Sequence, residues 1–251
     1  MDTQLAPGTC HNNEANMKKI LMGLLLCASI PTTALAARDD LDDLRDDAPR
    51  GEWRMSKHDK KRDIKVYVKN EEGKNIRSFR VEAIFDSPIE DLARVQADVD
   101  NYIKWYFAVL DVKLLKKVSD KEFIFYMVHD APIGTPDRDV IMRAVIEPMN
   151  SRRPYVLIRM SALPDYMPPK PPYVRMEAEN YTVKWTPMGP NKTKLEAEGF
   201  IDPGGISPAW AVNFVQGKGP YANMLGMQRM LDLPKYRDKD QKDPIPFKFF
   251  E

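Results

Sequence analysis

Alternation of apolar and polar side chains is the first order visible in this chain. Ile64, Val66 and Val68 follow a period of two, residues 70–73 break the run, and residues 76–85 alternate again, so the pair predicts a β-hairpin. Segments rich in branched and aromatic residues recur at 112–118, 122–129, 139–147, 155–162, 173–185 and 193–201, with turn residues between them. That spacing is an antiparallel meander. Pro164, Pro168, Pro169, Pro171 and Pro172 crowd one connection. Proline has no N–H to give a ladder, so this stretch reads as a stiff surface loop, with a PxxP ligand segment as the lesser alternative.

The period becomes helical in two places. Ser87-Pro88-Ile89-Glu90 offers a serine cap, a proline at the first position and a glutamate to close a capping box, which predicts a helix to about residue 97. A second short helix over 98–106 carries Tyr102 and Trp105. Near the end, Ser207 is placed to cap and Pro208 to begin a long helix in which Trp210, Phe214, Tyr221, Met224 and Leu231 recur near helical spacing. Gly217, Gly219 and Pro220 are expected to bend or interrupt it, because proline removes a donor and clashes one turn back.

The N-terminal region changes the picture of what is mature protein. From Met17 the chain reads Lys18, Lys19, an apolar run over 20–30 and then Ala34-Leu35-Ala36, which predicts a signal peptide over 17–36 cleaved after Ala36. The run is short for a membrane span and is followed by Arg38 and aspartates rather than a stop-transfer pattern. Export, most directly to a periplasm, is the expectation, with 1–16 an extension ahead of the true start. Cys27 follows Leu26, which is not the small residue lipoprotein attachment needs, and with Cys10 and Cys27 both removed no disulfide or thiol chemistry is expected. The acidic stretch 37–52 reads as a solvated lead-in rather than a metal site. About 215 residues then remain, enough for one cored domain over 53–235 followed by a loosely ordered tail over 236–251. Formal net charge is +1, which gives no basic face for nucleic acid.

Two segments resemble the START family of lipid-binding domains. One is Arg138-Asp139, opening a strand after a loop. The more specific is Asp202-Pro203-Gly204-Gly205-Ile206-Ser207-Pro208-Ala209-Trp210-Ala211-Val212-Asn213, entering the last helix, with Gly219-Pro220 beyond it. The resemblance implies an α+β helix-grip fold, a curved antiparallel sheet wrapped around the long C-terminal helix. Between them it implies an apolar tunnel that holds one lipid without a cofactor or metal. Trp210 and Asn213 enter as motif residues.

Given such a tunnel, period-two alternation puts Phe123, Phe125 and Met127 on one face, and Met142, Ala144 and Ile146 on one face of the next strand. Phe214, Tyr221, Met224 and Met227 are the expected contribution of the helix, methionine being suited to an adaptable wall. Several family members carry an arginine six residues after the motif arginine, paired with an acid on the neighbouring strand. Here those positions fall at Ala144 and near Phe125, while Arg143 should face the other way, so a less polar cavity is expected. Arg138 and Asp139 are expected to brace the loop over 129–137, where Gly134, Pro132 and Pro136 suit a movable lid.

No catalytic residue is expected. Past the leader the histidines are His58 and His129, and Asp130 beside His129 would point the opposite way on a strand. The resulting reading is a non-catalytic carrier of a hydrophobic molecule that touches membranes transiently. The alternatives are a helix-grip cyclase or isomerase acting on a hydrophobic substrate, and an interaction protein whose acidic lead-in or 247–250 aromatics meet a partner.

Overall fold

The computed structural model describes residues 51–72, 76–237 and 247–250. The expected leader, its cleavage site, both cysteines and nearly all of the acidic lead-in lie outside the described residues. The strands are β1 (Arg54–Asp59), β2 (Ile64–Asn70), β3 (Arg77–Phe85), β4 (Val109–Ser119), β5 (Glu122–His129), β6 (Arg138–Glu147), β7 (Val156–Ala162), β8 (Val174–Arg175), β9 (Ala178–Pro187) and β10 (Thr193–Asp202). Helix α1 (Ile89–Ala97) and a 3-10 turn (Val99–Lys104) connect β3 to β4, and α2 (Ala209–Leu231) and the short α3 (Pro234–Arg237) close the fold.

The strands form one curved sheet in the order β1-β2-β3-β10-β9-β7-β6-β5-β4, with β8 alone paired in parallel, to β6. The sheet is not closed, so β1 and β4 are its edges. Alternation sets its faces: in β2, Ile64, Val66 and Val68 are buried while the residues between them are partly exposed. β1 escapes a reading by hydrophobicity because Arg-Met-Ser-Lys-His-Asp is polar and faces solvent over much of its length. The segment expected as one strand over 173–185 is broken at Met176 and Glu177, where the chain leaves its parallel contact with β6 and joins β7 and β10.

Both faces of the middle of β5 are buried. The inner one belongs to the main core. On the other, Ile124, Tyr126, Val128 and Ile141 are covered by Leu163 and Tyr173, the two ends of the proline-rich connection. That connection therefore works as a flap over the convex face, although its middle is exposed.

Three expectations of local structure are corrected. The Ser87–Glu90 capping box and the Ser207 cap do not form: Pro88 and Pro208 themselves occupy the cap positions, so each helix starts one residue later than expected, without a side-chain cap bond. Ser87 is buried instead, with its carbonyl accepting the Thr193 hydroxyl at 2.9 Å. Helix α2 runs through Pro220 without interruption, because Gly219 and Pro220 face inward and Gly219 leaves room for the Phe107 ring. The tail expected to be loosely ordered is docked where it is described: Phe247 is buried in the main core, and the Met149 N–H donates to the Phe249 carbonyl at 2.8 Å.

Helix α2 approaches the end of the 3-10 turn closely. A Cβ placed on Gly226 would lie 2.2 Å from the Trp105 carbonyl oxygen, well inside contact distance and against backbone. Alanine is the better helix former by about 1 kcal/mol. Gly226→Ala is nonetheless expected to destabilise the protein by about 1–3 kcal/mol in denaturant titration, because the helix must move off the turn. A neutral or stabilising result would show that the contact is not tight.

Candidate ligand-binding cavity

The inner face of the sheet is covered unevenly. Over β5 and β6 it is filled: the Tyr102 ring meets Phe125 edge to face with centroids 5.6 Å apart, and Trp105 meets Tyr102 in the same way at 5.1 Å. Over β3, β9 and β10 a cavity of about 140 Å³ remains. Its sheet wall is Phe79, Val81, Val183, Leu195 and Ala197, and its helix wall is Ala211, Val212, Val215, Gly219, Met224 and Met227. The segment 105–108 and the loop between β5 and β6 also line it.

Of the expected lining residues, only Met224 and Met227 face this space. Phe123, Phe125, Met127, Met142, Ala144 and Ile146 do lie on the inner face, but they belong to the main packed core rather than to the cavity wall. The helix face was also misjudged. Phe214 is half exposed, and Tyr221 turns to β1, where its hydroxyl donates to Asp59 at 2.7 Å and Lys57 lies over its ring. The stripe that does face the cavity is made of small and aliphatic residues, and that is why a space exists there. Arg143 points outward to Glu122 at 2.8 Å.

One polar cluster interrupts the apolar wall, contrary to the expectation of a less polar cavity. Glu179 on β9 is only 1% exposed. Its Oε1 accepts the Tyr106 hydroxyl at 2.9 Å, and the Tyr106 and Tyr181 oxygens are 2.7 Å apart. Tyr106 donates to it, and because a phenol has a single proton Tyr181 then donates to Tyr106. Burial first, and then the Glu179 charge, push both phenols well above their ordinary range, so they stay protonated donors. The other carboxylate oxygen, Oε2, lies 3.5 Å from His129 Nε2, and neither atom has a hydrogen-bond partner. The acid beside His129 is thus Glu179, not Asp130. The sequence does carry a signal for it: Glu179 shares the period-two register of Tyr181, Val183 and Trp185, a charge on an otherwise apolar stripe.

The motif residues hold the loops around the mouth. Arg138 is buried and lines the cavity, and its guanidinium donates to the Pro136 carbonyl and to the Ser207 hydroxyl. It thereby latches the β5–β6 loop to the loop before α2. Asp139 does not brace the 129–137 loop as expected. It binds Arg175 through both oxygens at 3.0 and 2.9 Å, and that guanidinium also donates to the carbonyls of Pro164, Met167 and Pro168. The Arg-Asp pair therefore organises two different loops. Within the 129–137 loop, Gly134 takes φ 89° in a turn closed by the Thr135 N–H on the Pro132 carbonyl, which leaves Ile133 at the tip.

Around the mouth the surface is apolar. Ile133 is 100% and Ile206 97% exposed, each flanked by residues that line the cavity, and Trp210 and Phe214 are half exposed on the first turns of α2. Asn213, expected as a motif residue, is buried with its Oδ1 unpartnered and does not reach the cavity.

An open curved sheet gripping a C-terminal helix across a largely apolar space defines the helix-grip class. The START domain model matches residues 45–231, and the chain belongs to that family. An uncharacterized protein of Pseudomonas aeruginosa is 23% identical over 177 residues, 70% of this chain and 85% of that protein. A fragment of the STAR-related lipid transfer protein of Xanthomonas axonopodis superposes with TM-score 0.66 at 26% identity, covering 72% of this chain and 99% of the fragment. Human STARD10 shares the fold, with TM-score 0.65 at 20% identity and 87% of each chain covered.

The Asp139–Arg175 pair carries a prediction. Asp139 is fully buried, so Arg175→Met should leave an uncompensated charge and cost about 3–5 kcal/mol of stability. Hydrogen exchange should rise in residues 163–173, whose carbonyls lose their common donor. A rise spread evenly over the domain would count against a local bracing role.

Proposed function

We propose that the protein binds a lipid in this cavity and carries it between membranes without chemical change. The observation that supports the reading best is the wall itself: small and aliphatic side chains on α2 and β3, β9 and β10 leave space where bulkier ones would have filled it. Each methylene buried there contributes about 0.8 kcal/mol, so a chain of modest length offsets the cost of ordering it. The Xanthomonas axonopodis relative, named as a lipid transfer protein, supports the same reading. Lys18, Lys19, the apolar run over 20–30 and Ala36 support export, with a periplasm as the place of work.

A carrier has to meet a bilayer, and Ile133, Ile206, Trp210 and Phe214 are suited to dip into one beside the cavity mouth. Replacing Ile133 and Ile206 together by serine should lower transfer between labelled vesicles by about tenfold or more while leaving the denaturation midpoint unchanged, since two exposed apolar side chains contribute about 1.5–3 kcal/mol each when buried. Unchanged transfer would place the membrane contact elsewhere.

A second reading rests on the pair of His129 and Glu179 inside the cavity, a base and an acid in contact with whatever is bound. It describes an enzyme that cyclises or isomerises a hydrophobic substrate. The two readings separate in one set of measurements on protein purified from its own cell compartment. A carrier yields bound lipid by native mass spectrometry, takes up lipid from vesicles and releases it chemically unaltered. Absence of bound lipid and of uptake, together with turnover of a polyketide or steroid analogue that disappears in His129→Ala, would replace the first reading by the second.

A further inference from the structure

Charge is unevenly placed along the chain. Residues 57–65, which form the end of β1, the turn and the start of β2, carry Lys57, Lys60, Lys61, Arg62 and Lys65 against Asp59 and Asp63, in a protein whose formal net charge is +1. One of the two acids is taken up by the turn itself. The Asp59 carboxylate accepts the backbone N–H groups of Lys61 and Arg62 and the Arg62 guanidinium, each at 3.1 Å, and the Tyr221 hydroxyl at 2.7 Å. The turn is also fastened from outside: Gln228 donates to the Arg62 carbonyl at 3.0 Å, and the Ile84 N–H to the Asp63 carbonyl at 3.1 Å. Lys60 and Lys61 are exposed and make no ion pair among the described residues, and Lys57 Nζ lies 4.5 Å from the centre of the Tyr221 ring. These cations stand on a backbone already held in place, so its ordering adds nothing to the cost of binding.

Helix α2 brings this hairpin into line with the apolar residues near the mouth. Trp210, Phe214, Tyr221 and Gln228 follow one another at intervals of four and seven residues, so they share one stripe of the helix. Its first turns expose Trp210 and Phe214, and its later turns receive the hairpin on Tyr221 and Gln228. At 1.5 Å per residue, Tyr221 lies about 10 Å further along the helix than Phe214. The two ends differ in charge. The mouth loops over 129–137 and 202–208 contain Asp130, Asp137 and Asp202 and no lysine or arginine, so they offer no attraction to an anionic surface. We propose that the β1–β2 hairpin is a second membrane contact, selective for anionic phospholipid, which lays α2 along the bilayer with Trp210 and Phe214 in the interface and Lys57, Lys60 and Lys61 at the headgroups. Lysine suits that depth, because its aliphatic stem packs while its ammonium reaches phosphate. Each lysine near such a surface raises partitioning about fivefold, so three give about a hundredfold, a gain that salt screens.

This assignment rests on the reading that the protein works at membranes, and its test keeps the two apart. The purified protein is titrated with vesicles of phosphatidylcholine alone and of phosphatidylcholine mixed with phosphatidylglycerol, and transfer of a labelled lipid between phosphatidylcholine vesicles is followed separately. At low salt the wild type should bind the anionic vesicles about a hundredfold more tightly than the neutral ones. Lys57→Gln/Lys60→Gln/Lys61→Gln should lose most of that difference while binding pure phosphatidylcholine as before, a pattern that misfolding would not produce. Lys113→Gln/Lys116→Gln/Lys117→Gln removes the same charge from the exposed edge strand β4 and should keep the difference. Equal wild-type binding to both kinds of vesicle, or an equal loss in both variants, would overturn the assignment. Hairpin-dependent binding to heparin without any to anionic vesicles would overturn it in favour of an acidic macromolecule. Absence of transfer between phosphatidylcholine vesicles, with the charge preference intact, would overturn the carrier reading and leave the hairpin as a membrane contact.

Discussion

The approach of α2 to the Trp105 carbonyl, allowed because residue 226 has no side chain, fixes how the helix lies across the sheet. At that point Met227, Met230 and Leu231 enter the core. Trp105 in turn holds Tyr102, and these two rings fill the space above β5 and β6. The remaining space above β3, β9 and β10 meets a helix stripe of Ala211, Val212, Val215 and Gly219, none of which is long enough to reach the opposite wall. The cavity is therefore a product of two local facts, a close contact at one place and short side chains at another. Neither depends on the loops at the mouth.

The fold was legible because its signals are periodic. Strands β2, β3, β5, β6, β7 and β10 and both main helices lie close to where alternation, branching and the helical period put them. What escaped was set by tertiary contact. β1 is a polar edge strand recruited by pairing with β2, and the break at Met176 follows from a change of partner that no local residue announces. The site was less legible for a different reason. Bulk and aromaticity mark positions that fill space, so Phe125, Met127, Phe214 and Tyr221 drew attention as lining residues, whereas a wall around a void is made of residues that decline to fill it. The better guide was the exception on a stripe, Glu179 among Tyr181, Val183 and Trp185.

A carboxylate in such surroundings sets a condition on the rest of the wall. Removing it from water is costly unless its oxygens are served, and here one oxygen is served by a chain of two phenols while the other is not. The second oxygen lies 3.5 Å from His129 Nε2. Tyr106, held protonated by its burial and by the neighbouring charge, donates to the first carboxylate oxygen, and Tyr181 pairs with Tyr106 behind it.

The two segments that carry the family resemblance meet in space through a single side chain. Arg138 opens β6, Ser207 precedes α2, and the contact between them ties together the loops whose tips are Ile133 and Ile206. Arg138 also lines the cavity, so the latch forms part of the wall it closes. In the carrier reading, a bilayer that takes up both isoleucines acts directly on the two loops that this guanidinium joins. Docking and opening are then coupled through local geometry, without a signal having to cross the sheet. The Pro164–Tyr173 connection is anchored separately, through Asp139 and Arg175 on the convex side. Adjacent residues of one motif thus divide the labour: the arginine joins the two loops at the mouth, and the aspartate, through Arg175, holds the proline-rich connection.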